Sequence, residues 1–583
     1  MLGTARPPAK AGAVHPTETT TLSPYVVVGC AVVLHVLMMA AVFNPMIFTG
    51  GDNAVYQSLA RSLLERGAYL NIHEPGALPH TQYPPGYPVI IAIASLVGIK
   101  PWVGLKLLGT VFAAAGVAFT ALWALRHTTP MMALAVSTVV GLSPGILTEG
   151  QHELSDVPFW AIVMISLWAL EGLPRESTRR IVIAGAAAAF AYLTRTAAIP
   201  LVVAGLAWLA WERRWKQLAI FAAFTLPVVA GWALWVNAVG AEATNTGYER
   251  AFWLKEQYNP GAGEATFLEI FQRIPGNAGR YAAWMIPQLL TTRSFGANTI
   301  LGVVVILLVL VGWVRSLRAS LPRPDFVDVF FGLYLGMLAL LPVDWGAERF
   351  LFPILPVALV YAAETILWPM RGWAPRTRVL AAALPVTVVA LLAAAPLTRM
   401  AMTGSFCRDL YARGDRYGCL GVPFQDYLRM AEWARIGLPE DAIVVSRKPG
   451  LFYAISGRVG VNVPQTADPD EFLDTAQKAG AEFLVLDQVD FLSPRFVAPA
   501  IQHYPNSYCV ARQGGIEGHA VFGIVWAAPR VPAPEAASEI IFRPCPGFTP
   551  APEAGDPLTA SPVPPGLPPV PPVAPGPRAP GTR

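Results

Sequence analysis

The chain has 583 residues, of which 54% are apolar and only 14% charged, with a net charge of +4. A soluble globular domain carries about a quarter charged residues, and the mean hydropathy here is +0.46. Composition therefore excludes an ordinary soluble protein and points to a polytopic α-helical membrane protein. The small positive balance is spread over many loops and gives no nucleic-acid signal, while 17 Trp and 17 Tyr suit residues that anchor at membrane interfaces.

Residues 1–24 are polar and Pro-rich and read as a disordered N-terminus. The apolar run 25–48 is too long for a signal-peptide core and lacks a small-residue cleavage site, so it reads as a retained first span. The first polar loop, 49–85, follows. Within it "GGDNAVYQSLARSLLERG" predicts a helix that starts near Asp52 and stops at Gly67. Tyr56, Leu59, Ala60, Leu63 and Leu64 share one face, with Gln57, Arg61 and Glu65 away from it, the pattern of a helix lying along the membrane surface. Asp52 has two readings: an N-cap that accepts a backbone N–H, or a general base. They pull in opposite directions, since a capping bond and the helix dipole lower a carboxyl pKa and a base benefits from a higher one. The loop closes in "HTQYPPGYPVI", where Pro84 and Pro85 hold the chain extended and Tyr83 and Tyr87 either stiffen an entrance or wall a substrate site.

The apolar segment 86–99 spans about 21 Å as a helix, too little for a bilayer of about 30 Å, and reads as re-entrant or interfacial. Further spans are expected at 102–125, 130–148, 157–171, 181–197, 199–211, 217–239, 297–314, 326–343, 350–369 and 378–396, eleven with the first. Two of them, 157–171 and 199–211, are short and should extend into their flanks. With the N-terminus in the cytoplasm, the arginine-rich loops "RHTTP", "PRESTRR", "ERRWKQ", "RSLRASLPR" and "RGWAPRTR" all fall inside. The outer face then receives 49–85, the acidic loop 148–157, the loop 240–296 and everything after 396. Counting 86–99 as a full span would place the arginines outside.

The acidic outward loop, "TEGQHELSDVPFW", carries Glu149, His152, Glu153 and Asp156 with no Lys or Arg between them. Ser155 or Asp156 suits a cap for the next helix, with Pro158 in its first turn, but that leaves Glu149 and Glu153, like charges at i, i+4, unexplained. The spacing fits no standard metal site. Outer-side cations are Lys100, Lys106, Arg195, Arg280, Arg293 and Arg349. Arg349 has Glu348 and Asp344 as nearby ion-pair partners, or a lipid-linked phosphate, which guanidinium matches bidentately.

After 396 the sequence predicts an outward α/β domain over 397–545, with helices at "YLRMAEWARIGL" and "PDEFLDTAQKAG" and strands at "AIVVS", "RVGVNV", "EFLVLD" and "AVFGIVWA". "GLFYAISGRVG" lacks the spacing of a phosphate-cradling loop. Four cysteines, Cys407, Cys419, Cys509 and Cys545, lie in this outward region, and an even set in an oxidising compartment implies two disulfides. Pairing near neighbours, Cys407 with Cys419 and Cys509 with Cys545, is one of three possible connectivities. Residues 546–583 form a Pro-rich tail without apolar periodicity.

Taken in order, "GGDNAVYQSLARSLLERG", "YPPGYPVIIAIASLVG", "GQHELSDVPFWAI", "YLTRTAAIP" and "ERFLFPILPVAL" resemble the GT-C superfamily of integral-membrane glycosyltransferases. The branch is similar to protein O-mannosyltransferases, lipid A aminoarabinose transferases and rhizobial lipopolysaccharide galacturonosyl transferases. The likeness covers about residues 25–396. It implies a transmembrane catalytic domain that takes a polyprenyl-phosphate sugar and passes it, on the outer face and with inversion, to a glycan, lipid or protein acceptor, with no cofactor and a divalent metal compatible but not required. It implies a catalytic acid at Asp52, a second-loop acid at Glu153 or Asp156, and Arg349 near the lipid phosphate; Arg195, His152, Tyr83 and Tyr87 are read from their own positions as further substrate-side candidates. Two departures stand out: Asn53 follows Asp52 where protein mannosyltransferases have a second acid, and Tyr83 precedes the proline pair in place of Lys or His. A transporter or flippase, a polysaccharide polymerase or ligase, and a non-catalytic scaffold are the competing classes. The spans hold almost no intramembrane charge and no repeat, which disfavours transport.

Overall fold

The computed structural model describes residues 22–99, 101–240, 248–256, 262–292, 296–345, 347–370, 372–373, 375–533 and 542–549. Lys100 and Arg293, the tail beyond 549 and most of the N-terminal segment lie outside these residues.

The N-terminal part begins with α1 (Pro24–Val42), α2 (Asp52–Arg66), α3 (Gly86–Leu96), α4 (Val103–His127), α5 (Pro130–Gly141) and α6 (Pro144–Glu149). Next come α7 (Asp156–Leu170), α8 (Thr178–Thr194), α9 (Ile199–Trp211), α10 (Trp215–Val239) and α11 (Tyr248–Trp253). They are followed by α12 (Phe267–Arg280), α13 (Ile286–Thr291), α14 (Ala297–Ser320), α15 (Phe326–Leu340), α16 (Leu355–Leu367) and α17 (Pro375–Ala412). Among the described residues five helices are long and apolar enough to cross a membrane, and six shorter apolar helices of 10–17 residues stand among them. Leu37, Val111, Leu234, Leu307 and Leu391 are exposed on the long ones, which a lipid environment would cover and water would not tolerate in such number. The chain is thus a helical membrane protein, while helix length alone does not yield eleven spans.

Proline accounts for the main differences from the expected spans. The first apolar run ends at Val42, because Asn44 precedes Pro45 and is pushed out of the helical region. Its side chain caps the turn instead, accepting from the Met46 N–H at 2.9 Å. The expected span 130–148 breaks at Ser143–Pro144 into α5 and α6. The short helices α7 and α9 stay short, α9 gaining only a 3-10 turn at Thr196–Ala198. The last helix, α17, runs past 396 as far as Ala412, so the bundle's final helix is continuous with the start of the C-terminal domain.

The C-terminal domain is a five-stranded sheet of order β2-β1-β3-β5-β4. Its strands are β1 (Ile443–Ser446), β2 (Val459–Asn462), β3 (Phe483–Leu486), β4 (Tyr508–Gln513) and β5 (Ala520–Ile524). The helices are α18 (Val422–Gly437), α19 (Pro449–Ser456), α20 (Pro469–Lys478) and α21 (Ala498–His503). β1 runs parallel to β2 and β3, and β5 pairs antiparallel with β3 and β4. Strand β4 was not expected; its sequence, "YCVARQ", mixes polar and apolar residues and it sits at the sheet edge. Cys407 pairs with Cys419 and Cys509 with Cys545, clamping the end of α17 to the loop before α18 and β4 to the segment that follows the sheet.

Helix α2 lies at the junction of the bundle and the C-terminal domain. It is held between α3 on one side and α19 of the C-terminal domain on the other. That sandwich explains why Asn53, Ser58 and Ser62 are buried while Leu64, expected on the apolar face, is exposed.

Candidate active site

The loop that leads to Asp52 is fixed by its own backbone chemistry. Gly51 sits at φ 100°, a region open only to glycine without strain, and it is the N-cap of α2. Its carbonyl accepts from the Ala54 and Val55 N–H groups at 3.0 and 3.2 Å. Asp52 is therefore the first helical residue and not the cap, and its side chain makes no capping bond. The carboxylate is partly exposed at the positive end of α2. Next to it, buried Asn53 donates from Nδ2 to the Phe48 carbonyl at 2.9 Å and to Glu153 Oε2 at 3.2 Å. The residue that departs from the acidic pair of the mannosyltransferases is thus a tie between the two loops.

The second loop distributes its acids. Glu149, at the end of α6, meets His152 Nδ1 at 3.3 Å, and His152 stacks on Phe48 with ring centres 4.0 Å apart. Burial opposes ionisation of Glu149, but His152, Arg349 and Arg195 hold its carboxyl below the usual range. Glu153 is buried beneath Asn53 and in electrostatic reach of buried Lys106. Burial pushes its carboxyl up against the pull of Lys106, and its Oε1 has no partner among the described residues. The like-charge pair is not on one helix: α6 ends at Glu149 and the chain turns before α7.

Asp156 opens α7 and is the centre of an arginine clamp. Arg195 Nη1 lies 2.9 Å from its Oδ1 and Arg349 Nε 3.6 Å from the same atom. Arg349 thereby finds a partner on the second loop, at Asp156. Arg195 emerges at the C-cap of α8, where the chain leaves the helix at φ −152°, and Arg349 comes from a 3-10 turn, Glu348–Leu351. The Phe350 ring lies 5.2 Å from the Arg195 guanidinium and 5.9 Å from that of Arg349. Asp156 is 4% exposed, whereas the arginines keep 18% and 26% of their side chains open. The shared carboxylate is consumed in holding them, and guanidinium edges remain for a second anion.

Tyrosines join these parts. Tyr56 donates to or accepts from Ser155 Oγ at 3.0 Å, and Ser155 Oγ also accepts from Arg195 at 3.1 Å. The Tyr56 ring packs against Tyr83 at 4.8 Å and Tyr87 at 5.0 Å, and Tyr83 continues to Tyr248 at 6.2 Å and thence to Trp345 at 5.6 Å. His80 Nε2 accepts from the Tyr83 N–H at 2.8 Å and fixes the turn before the prolines. Burial drives the Tyr56 and Tyr83 phenols far above their ordinary range, and the Asp52 charge adds to it, so both stay neutral. Asp52 is also in electrostatic reach of Arg349. All eight singled-out residues (Asp52, Tyr83, Tyr87, His152, Glu153, Asp156, Arg195 and Arg349) therefore belong to one connected region. Sequence reasoning missed Tyr56 as a polar contact and Tyr248 altogether; the loop 240–296 has no periodic pattern that would single Tyr248 out. Among the described residues no three or more His, Cys, Asp or Glu side chains gather as metal donors.

No protein-family model and no curated protein matches the sequence. Among solved structures, the apo form of the Archaeoglobus fulgidus oligosaccharyltransferase matches 87% of this chain and 75% of its own with a TM-score of 0.51 at 14% identity. The chain has the GT-C fold. A second GT-C structure of that oligosaccharyltransferase, with Zn and sulfate, gives a TM-score of 0.50 at 14% identity over 84% of this chain and 73% of that one. Another GT-C protein, ArnT from Cupriavidus metallidurans bound to undecaprenyl phosphate, covers 86% of this chain and 98% of its own at 15% identity and a TM-score of 0.47. The bundle supplies both loops and both arginines, and α19 of the C-terminal domain packs on α2.

Proposed function

We propose that this protein is a membrane glycosyltransferase that moves a hexosyl or pentosyl group from a polyprenyl-phosphate donor to a cell-envelope glycan, lipid or protein acceptor, on the outer face of the plasma membrane. The observation that carries the reading is a partly exposed carboxylate, Asp52, in electrostatic reach of Arg349, one of two guanidinium groups that share one buried carboxylate, Asp156. That pairing suits a reaction in which one side of the sugar loses a phosphate and the other gains a deprotonated hydroxyl. Asp52 takes the acceptor hydroxyl proton while the oxygen attacks the anomeric carbon, and the bond from that carbon to the phosphate oxygen breaks with its electron pair leaving on the phosphate. Arg349 and Arg195 neutralise the charge gathered there, and the single displacement inverts the anomeric centre. In this scheme Asp156 positions the arginines, Glu153 holds the two loops together through Asn53, and the tyrosines wall the sugar. The arginine-rich loops favour a cytoplasmic N-terminus and an outward C-terminal domain.

Asp52→Asn is nearly isosteric and removes the base. Purified variant protein should fold as the parent does and lose sugar transfer by at least about a hundredfold. Transfer at the parental rate by the folded variant would refute the assignment.

A further inference from the structure

The C-terminal domain reaches the Asp52 loop directly. Lys448 stands where β1 hands over to α19, at the carboxyl end of a central strand, and Pro449 at the first helical position fixes the direction in which the chain leaves it. Its backbone carbonyl is pinned by the Tyr427 hydroxyl at 3.0 Å and the Phe452 N–H at 2.9 Å. Its side chain then extends across to the bundle, where Nζ donates to the Gly50 carbonyl at 2.8 Å. The aliphatic stem lies over Gly51, with Cβ, Cγ and Cδ 3.7–3.8 Å from where a Cβ on that glycine would stand.

Three further contacts make this docking rigid. A Cβ on Gly450 would meet Val55 Cγ2 at 2.9 Å, so α19 and α2 approach as closely as glycine permits. The Gly460 N–H donates to the His73 carbonyl at 2.9 Å. Ile47 and Ala54, from either side of Asp52, are buried in the same apolar cluster as Tyr427, Leu428, Met430 and Phe452 of the domain. The stretch "GLFYAISGRVG" is thus a docking surface for the catalytic loop and not a phosphate cradle.

We infer that Lys448 is a positioning residue of the Asp52 site, holding the Gly50–Gly51 backbone and placing a cation behind the Asp52 carboxylate. The inference rests on the reading of Asp52 as the general base. The charged and titratable groups around Lys448 are Arg447, Asp490, Asp52 and Asp487; those around Asp52 are Tyr56, Tyr83, Tyr248, Arg349 and Lys448. Burial lowers Lys448 from its ordinary range, but Asp490 and Asp52 pull the other way.

The test measures sugar transfer against pH for full-length Lys448→Met, Lys448→Gln and Lys448→Arg, with Asp52→Asn alongside and hydrogen exchange read at the Ala54 and Val55 amides. Lys448→Met should lower kcat about tenfold with KM for the lipid donor little changed, speed exchange at both amides, and move the acid limb of the rate profile up by about half a pH unit. Lys448→Gln keeps a donor for Gly50 without the charge, so it should restore slow exchange while leaving the acid limb displaced; Lys448→Arg should restore both. An inactive Asp52→Asn together with parental kcat and acid limb in Lys448→Met would overturn the role of Lys448 alone. So would a fall in kcat without movement of the acid limb. An active Asp52→Asn would bring down the base and the positioning residue together.

Discussion

Asp156 presents one oxygen to two arginines drawn from distant parts of the chain. Removing its charge while keeping its shape, as in Asp156→Asn, leaves two guanidiniums crowded without the carboxylate that pairs with both, in a region largely shut from water. The expected loss is about 3 kcal/mol of stability, read as a lowered unfolding midpoint in detergent, and an unchanged midpoint would mean that solvent already screens the pair. Arg349→Gln should behave differently. It spares the closer Arg195–Asp156 contact, so stability should hold while kcat/KM for the lipid-linked donor falls on the order of a hundredfold; a parental kcat/KM would remove Arg349 from the donor site. Much of this was legible at the residue scale, because Asp52, Asp156, Arg195 and Arg349 are charges in an apolar chain and charges there need a reason. The pairing was not. Nothing local to "WGAERF" says that Arg349 pairs with an acid almost two hundred residues earlier. Tyr56 was read only as one member of an apolar stripe, since a stripe records which way a side chain points and not what its hydroxyl meets.

Elements bring these residues to one place through close backbone approaches. Gly86 starts α3 directly after the proline pair, and a Cβ there would lie 2.6 Å from the carbonyl carbon and oxygen of Leu193 and 2.7 Å from Thr194 N. Those are backbone atoms at the end of α8, just before Arg195, and they cannot rotate aside. Gly86→Ala should therefore push the tyrosine loop away from the arginine, at a cost of about 1–3 kcal/mol and with loss of transfer, measured on the same purified sample; parental stability and transfer would show that the two segments can shift without consequence. The helices themselves were largely readable from apolar runs and turn residues, and their ends moved where a proline or an X–Pro step decided the matter, as at Asn44–Pro45 and Ser143–Pro144. Helix α2 shows the limit of pattern reading. An amphipathic stripe states that one face is covered, and α3 and α19 cover two.

The whole molecule couples a helical bundle to an α/β sheet domain through α17 and through the Asp52 loop. The distribution of arginines predicts a cytoplasmic N-terminus and an outward C-terminal domain. In intact cells of a variant lacking Cys30, an impermeant thiol reagent should label a cysteine at exposed Glu517 of the C-terminal domain, and should label one at exposed Arg318 only after permeabilisation. The reverse pattern would invert the topology and put the Asp52 site on the cytoplasmic face. The disulfide partners also belong to this scale: cysteine count and compartment called for two bridges, and the fold selects the pairs that tie each end of the domain to its sheet and to α17.

The claim on which the rest depends is that Asp52 performs sugar transfer. The direct measurement is mass spectrometry of cell-envelope glycans, lipids and glycoproteins from cells lacking the gene, complemented either with the parental protein or with Asp52→Asn at equal folded levels. A sugar should disappear with the gene, return with the parental protein and not return with the variant. Restoration by Asp52→Asn, or no change in any glycan on loss of the gene, would contradict it.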